Sequence, residues 1–198
     1  MCKERCVIGA CVVAAMSGAA SAEPLRLELG GLVTNVSDTT GTPFGETLIG
    51  DAWSMVFEFA STADSVTATE ARWQASISSA TLTVGSLVLT LDPLAMDQGI
   101  ALTDSDVPSG DQLFVGGLTP SNLRARASLF GELAGFPSLP ESVDFSATFE
   151  TFSVTQPNNR AVINGSFTSY ELTVVPTPGG IALGVAACGV AMRRRRGM

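Results

Sequence analysis

Between residues 23 and 175 the sequence predicts an all-β fold, a single β-sandwich or jelly-roll-like domain of about eight to ten short strands. Three observations point there. Apolar and polar residues alternate with a period of two in run after run. The runs are separated by clusters rich in Gly, Pro, Asn and Asp. The segment also holds no cysteine, so a packed core rather than disulfides must hold it together. About 150 residues suffice for that, because a domain of this length buries roughly 68 to 70% of its unfolded surface.

The elements follow in chain order. Leu25, Leu27 and Leu29 share one face of a strand, with Arg26 and Glu28 on the other. Trp53, Met55, Phe57 and Phe59 form a second inward row, and Trp73, Ala75 and Ile77 a third. Leu82 and Val84 continue, across a bulge or tight turn at Gly85, into Leu87, Leu89 and Leu91. Segments 98–103 and 112–116 read as further strands. Val143, Phe145, Ala147 and Phe149 make another inward row, and a bulge near Glu150 and Thr151 would return Phe152 and Val154 to the core. Pro157, Asn158 and Asn159 suit a hairpin turn into a last strand over 161–175, in which Tyr170, Leu172 and Val174 share a face. Segments 61–72 and 121–134 read as helix as readily as strand, the second because Leu123, Ala127, Phe130 and Leu133 lie near helical spacing.

Charge narrows the function. The chain of 198 residues has 11 Lys and Arg, 19 Asp and Glu, and no His. Five arginines face eighteen carboxylates within 23–175, a net charge near −13. Such a field repels phosphate backbones and argues against nucleic acid as a partner. The lack of His excludes a His-based triad or a His-ligated zinc site, and Lys3, the single lysine, makes Schiff-base chemistry an unsuitable reading.

The two ends read as addresses. Residues 1–22 have a short charged start, an uncharged run from Cys6 to Ala20, and small residues at Ala20 and Ala22 before Glu23 and Pro24, which is the pattern of a secretory signal peptide cleaved after Ala22. Three of the four cysteines lie in this segment and Cys188 lies near the other end. At the C-terminus, Pro176, Thr177 and Pro178 precede an uncharged stretch over 179–192, expected as a short hydrophobic helix, and then Arg193, Arg194, Arg195 and Arg196. Prolines keep a segment extended, an apolar run enters a bilayer, and clustered arginines stay on the cytoplasmic side and stop transfer. Fourteen residues rich in Gly and Ala are short for a permanent span, which suits a transient anchor.

This tail resembles the C-terminal sorting signal of PEP-CTERM proteins, in the variant where Pro-Thr-Pro stands in place of Pro-Glu-Pro. The resemblance covers residues 176–198. It implies that Pro176, Thr177 and Pro178 are the motif recognised by an exosortase, a membrane cysteine protease. It also implies an intermediate anchored in the inner membrane, with the product afterwards at the cell surface or outside the cell. It implies nothing about the fold of residues 23–175.

For that domain the expected role is non-catalytic, in the cell surface or extracellular matrix. One alternative is a carbohydrate-binding module for extracellular polysaccharide, with Trp53, Trp73 and Tyr170 as candidate aromatics, although both tryptophans head inward rows. A second is a small carboxylate-dependent glycoside hydrolase, for which Glu58, Glu150 and Glu171, read as outward strand positions, would have to converge in pairs. No cofactor is expected except calcium, for which Asp104, Asp106 and Asp111 offer hard oxygen ligands in a turn-rich loop lacking the EF-hand pattern.

Overall fold

The computed structural model describes residues 22–38, 44, 46–95, 99–105, 110–146, 148–156 and 161–176, which form eleven strands and no α-helix. In chain order these are β1 (Pro24–Asp38), β2 (Ala52–Ala60), β3 (Ser65–Val66), β4 (Glu70–Trp73), β5 (Ile77–Val84), β6 (Leu87–Thr90), β7 (Ile100–Thr103), β8 (Asp111–Leu118), β9 (Arg124–Gly131), β10 (Phe149–Thr155) and β11 (Ala161–Val174). The expected all-β class holds. The hydrogen bonding, however, joins all the strands into one antiparallel sheet, in the order β3-β4-β7-β8-β9-β10-β11-β1-β2-β5-β6, where a sandwich would divide them between two. The hydrophobic segment over 179–192, expected as a helix, lies outside the described residues, as do Ala147 and the turn residues Pro157, Asn158 and Asn159.

The sheet is strongly curled, and aromatic contacts measure the curl. Trp73 on β4 and Phe59 on β2 meet edge to face at 6.2 Å between ring centroids. Seven strand spacings separate β4 from β2 in the sheet order, so a flat sheet would hold them about 33 Å apart. A second closure joins the segment after β6 to the end of β8, where Asp92 and Leu118 exchange backbone hydrogen bonds of 2.6 and 3.1 Å. One face of the sheet thereby encloses a single apolar core to which every strand except the two-residue β3 contributes buried or partly buried side chains.

The sharpest bend lies between β10 and β2. Trp53 stands opposite Gly31 on β1, and Phe152 stands opposite Gly165 on β11. Because neither glycine has a side chain, the indole passes over both strands and stacks on Phe152, with centroids 3.8 Å apart and planes within 1°. Phe167 closes the cluster edge-on at 4.9 Å, and the indole N–H donates to the Ser166 carbonyl at 3.0 Å. Burying one Trp removes on the order of 200 Å² from water, an upper bound of about 5 kcal/mol. Extra residues at Thr34 in β1 and Thr168 in β11 interrupt the register on either side of the glycines and add local twist.

Several local expectations are corrected. Glu150 and Thr151 form no bulge: β10 pairs β9 without interruption from Phe149 with Phe130 to Thr155 with Arg124. Phe149 therefore faces outward, 69% exposed, while Phe152 and Val154 face the core. Val143 and Phe145 belong to the loop before β10, where they pack against the edge of the core. Ala75 leaves the inward row of Trp73 and Ile77, because the Asp64 carboxylate accepts the N–H groups of Gln74 (2.5 Å) and Ser76 (3.1 Å) and draws residues 74–76 into a turn. The segments read as possible helices are extended. In β9 the alternation of Ala125, Ala127 and Leu129 with Arg124, Arg126 and Ser128 overrides the helical spacing of the residues that flank it. Gly85 is the tight turn between β5 and β6, where its φ of 55° suits glycine.

A Cβ on Gly31 would collide with the Ser166 carbonyl and come within 2.8 Å of the indole nitrogen. Gly31→Ala is expected to lower unfolding stability by about 3 kcal/mol, read from the urea midpoint. A loss below about 1 kcal/mol would show that the indole does not rest on this backbone.

Candidate functional site

The first and last described strands, β1 and β11, meet at one end of the fold, with Glu23 and Val175 close together there. β1 and β11 run side by side in the interior of the sheet order, with Leu25 opposite Val174. Beyond that pair the Val175 N–H donates to the Pro24 carbonyl at 2.8 Å, and the Ser61 N–H donates to the Glu23 carbonyl at 2.8 Å. Both bonds fix backbone at the last residues before each address. Ala22 is half-buried and Pro176 is exposed, so the ladder ends at Val175. Pro176 cannot extend the ladder, because it has no N–H to donate. Ala20, Thr177, Pro178 and Arg193 to Arg196 lie outside the described residues. Among the described residues no helix is long and apolar enough to cross a membrane.

A tyrosine braces this exit. Tyr170 lies five residues before Val175 on β11 and donates its hydroxyl to the Pro140 carbonyl at 2.6 Å, tying the loop between β9 and β10 to the terminal strand. Burial pushes its phenol well above the ordinary value near 10, since a phenolate there would lose water and face a carbonyl oxygen.

The acidic loop is divided. Asp104 is exposed, Asp106 lies outside the described residues, and Asp111 is 7% exposed at the start of β8. The two Asp111 carboxylate oxygens accept the N–H groups of Ser105 (2.9 Å) and Leu133 (3.0 Å), which ties the exit of β7 to the segment after β9. Among the described residues no group of three Asp, Glu, Cys or His side chains gathers within reach of a metal ion.

The aromatic and carboxylate candidates separate as well. Trp53 and Trp73 are each 2% exposed and cannot offer a ring face to a sugar. Glu58 faces outward, where it accepts a hydrogen bond from Ser79 and lies 3.8 Å from Arg26. Glu171 is outward too, opposite Glu28. Glu150, expected outward, points inward: one carboxylate oxygen accepts the Phe167 N–H at 3.1 Å beside the β11 bulge, and the other is buried with no partner among the described residues. Glu150 thus lies on the opposite side of the sheet from Glu58 and Glu171, and the three do not converge. Its inward position is hidden in the sequence by the parity assigned to Phe149. The pairing of Pro24 with Val175 has a faint signal, since the leucines at 25, 27 and 29 and the apolar residues at 170, 172 and 174 match as terminal strands.

Comparison with protein-family models, with curated proteins and with solved structures finds no match for the chain.

Tyr170 gives the domain a measurable alkaline limit. The folded phenol resists ionisation, so its contribution to stability is fully present below the unfolded value of about 10 and is lost as pH rises above it, by up to about 1.4 kcal/mol per pH unit. Residues 23–175 contain no Lys or Cys and this one Tyr, so no other side chain there titrates in that window. Tyr170→Phe is expected to flatten the decline between about pH 10 and 12, at a cost near neutrality of about 1 kcal/mol for the lost hydrogen bond. An unchanged alkaline slope in the variant would contradict this.

Proposed function

We propose that the chain is an exported, non-catalytic β-sheet protein of the cell surface or extracellular matrix. The signal peptide carries it out of the cytoplasm and is cleaved after Ala22. Residues 179–192 then hold it in the inner membrane, with Arg193 to Arg196 on the cytoplasmic side, until an exosortase-type membrane protease acts at Pro176, Thr177 and Pro178.

The observation that carries this reading is the position at which the sheet ends. A protease takes its substrate as extended, unpaired backbone. The chain is paired up to Val175, and Pro176, with which the motif begins, is exposed. The domain therefore needs no unfolding to present Pro176, and its last paired residue sets a limit on how far processing can reach. The Val175–Pro24 hydrogen bond holds Glu23 and Val175 close together, and this supports the removal of a segment from each end. A structural or matrix role fits a surface with a net charge near −13, which keeps copies soluble and apart until they reach a partner.

Mass spectrometry of terminal peptides from membrane and extracellular fractions of producing cells tests the reading. The expected extracellular form begins at Glu23 and ends no earlier than Val175, and Pro176→Ala with Pro178→Ala should leave the chain in the membrane with Met198 intact. Release of the double variant at the wild-type level, or an unaltered chain still ending at Met198 in every fraction, would overturn it.

A further inference from the structure

The outward surface of the sheet is uneven in charge. Around β1 and β2 it carries Glu28 and Glu58 with Arg26, which bonds Glu28 at 3.0 Å and lies 3.8 Å from Glu58. Arg72 on β4 is likewise bridged to Glu70 at 2.8 Å. Across β8, β9 and β10 the outward positions hold no carboxylate at all, in a segment with eighteen of them. Instead they hold Arg124 and Arg126, both exposed and, among the described residues, in no salt bridge. The two guanidinium groups rise from the same face of one strand, with Cα atoms about 6.7 Å apart.

Beside the arginines runs an aromatic stripe. Phe114 on β8 lies under Arg126, whose guanidinium carbon is 6.0 Å from the ring centroid. Phe130 on β9 and Phe149 on β10 are register partners with centroids 6.0 Å apart, and Phe149 is 69% exposed. Between them and Arg126 stands the exposed Thr151, whose register partner Ser128 is only 8% exposed. Phe149 stands exposed in the middle of a sheet, at a cost in hydrophobic free energy, and with the half-buried Phe114 and Phe130 on the same face it makes an apolar stripe open to an occupant.

We propose that this face of β8, β9 and β10 binds an anionic glycan, a chain of sugar rings bearing carboxylate or sulfate groups. Each part has a counterpart there. Arginine forks match a carboxylate or sulfate. Phenyl rings take the apolar C–H face of a pyranose, and the exposed Thr151 hydroxyl bonds a sugar hydroxyl. An extended peptide is poorly served, because β8 and β9 are hydrogen-bonded on both edges and β10 is so from Phe152 to Thr155, which leaves no full strand edge to join. The acidic domain repels every polyanion, and duplex nucleic acid, with one charge per about 1.7 Å, has a charge density that two cations cannot offset, whereas a glycan charged no more than once per sugar ring meets less of that repulsion. The setting outside the cell rests on the export reading above; the binding itself does not.

The test is calorimetric titration of the full chain in neutral detergent, with Arg193→Ser, Arg194→Ser, Arg195→Ser and Arg196→Ser so that the tail's cations cannot contribute. Alginate and dextran sulfate supply carboxylated and sulfated sugars and so identify which group is preferred. Neutral dextran, polyglutamate and duplex DNA are the comparators. At least one charged glycan should bind at least about tenfold more tightly than each comparator. Arg124→Ser with Arg126→Ser should weaken it by at least about tenfold, and Phe149→Ser by at least about threefold, with urea midpoints unchanged because all three side chains are exposed. Binding of neither glycan, equal binding of polyglutamate or DNA, or affinity indifferent to either set of substitutions would overturn the proposal. Uncleaved tails in cells would sink the export reading without altering this titration, and a titration without binding leaves tail processing as it stands.

Discussion

Trp53 reaches over two strands of backbone to stack on Phe152, and the rest of the sheet is arranged around that reach. The contact requires glycine at both positions beneath the indole, Gly31 and Gly165, since a Cβ at either would strike the ring or the facing carbonyl. It also requires the sheet to bend inward between β10 and β2, which the interrupted registers at Thr34 and Thr168 allow. Once the centre is bent, the two wings approach each other. Phe59 then meets Trp73, and Asp92 then pairs with Leu118. A single sheet of eleven strands can thus enclose a core without disulfides, because curling supplies the second wall that a separate sheet would give a sandwich.

The same bend sorts the surface. One region of the outward face, over β1 and β2, is acidic with its arginine neutralised in place, and another, over β8 to β10, has no carboxylate at its outward strand positions and holds two arginines that, among the described residues, are in no salt bridge. The sheet ends toward the two addresses at β1 and β11. Because β11 pairs with β10 only over Val162 to Gly165, its exit half lies beyond the β8 to β10 face. An anchored molecule would therefore keep its exit strands and its cationic face as distinct surfaces of one sheet. Tyr170 couples the exit strand to the loop that follows β9, which makes the end of β11 part of the packed body rather than a frayed terminus. These relations link three sequence features that look unrelated in the linear chain: the proline motif, the single tyrosine and the phenylalanine stripe.

Strands are legible in the sequence wherever both faces have contrasting chemistry. The row Trp53, Met55, Phe57 and Phe59 reads inward and is inward, with each residue at most 2% exposed. Parity fails where the chain has apolar residues on both faces. Phe149 and Phe152 cannot both be core positions in an unbroken strand, and only the pairing with β9 decides between them. The division into one sheet or two is not legible either, because it depends on which distant strands share an edge, and no local period encodes the neighbourhood of β4 and β7. For the candidate sites, the proposed tail motif is a short linear pattern read from sequence alone, and all of it beyond Pro176 lies outside the described residues. The face of β8 to β10 is not legible in that way, since its arginines lie in a segment that spaces its apolar residues like a helix, and since its phenylalanines come from three strands spread over 36 residues, from Phe114 to Phe149.

If the stacked pair over Gly31 and Gly165 is what the fold depends on, its protons should be the last to leave. Native-state hydrogen exchange by nuclear magnetic resonance measures this directly, through the Trp53 indole N–H bonded to Ser166 and the amides of β1, β2, β10 and β11 around it. The account predicts that these exchange together in the slowest class, at the free energy of global unfolding found with urea. Exchange of the Trp53 indole proton well ahead of the core amides, as from an indole that opens locally while the sheet stays closed, would contradict it.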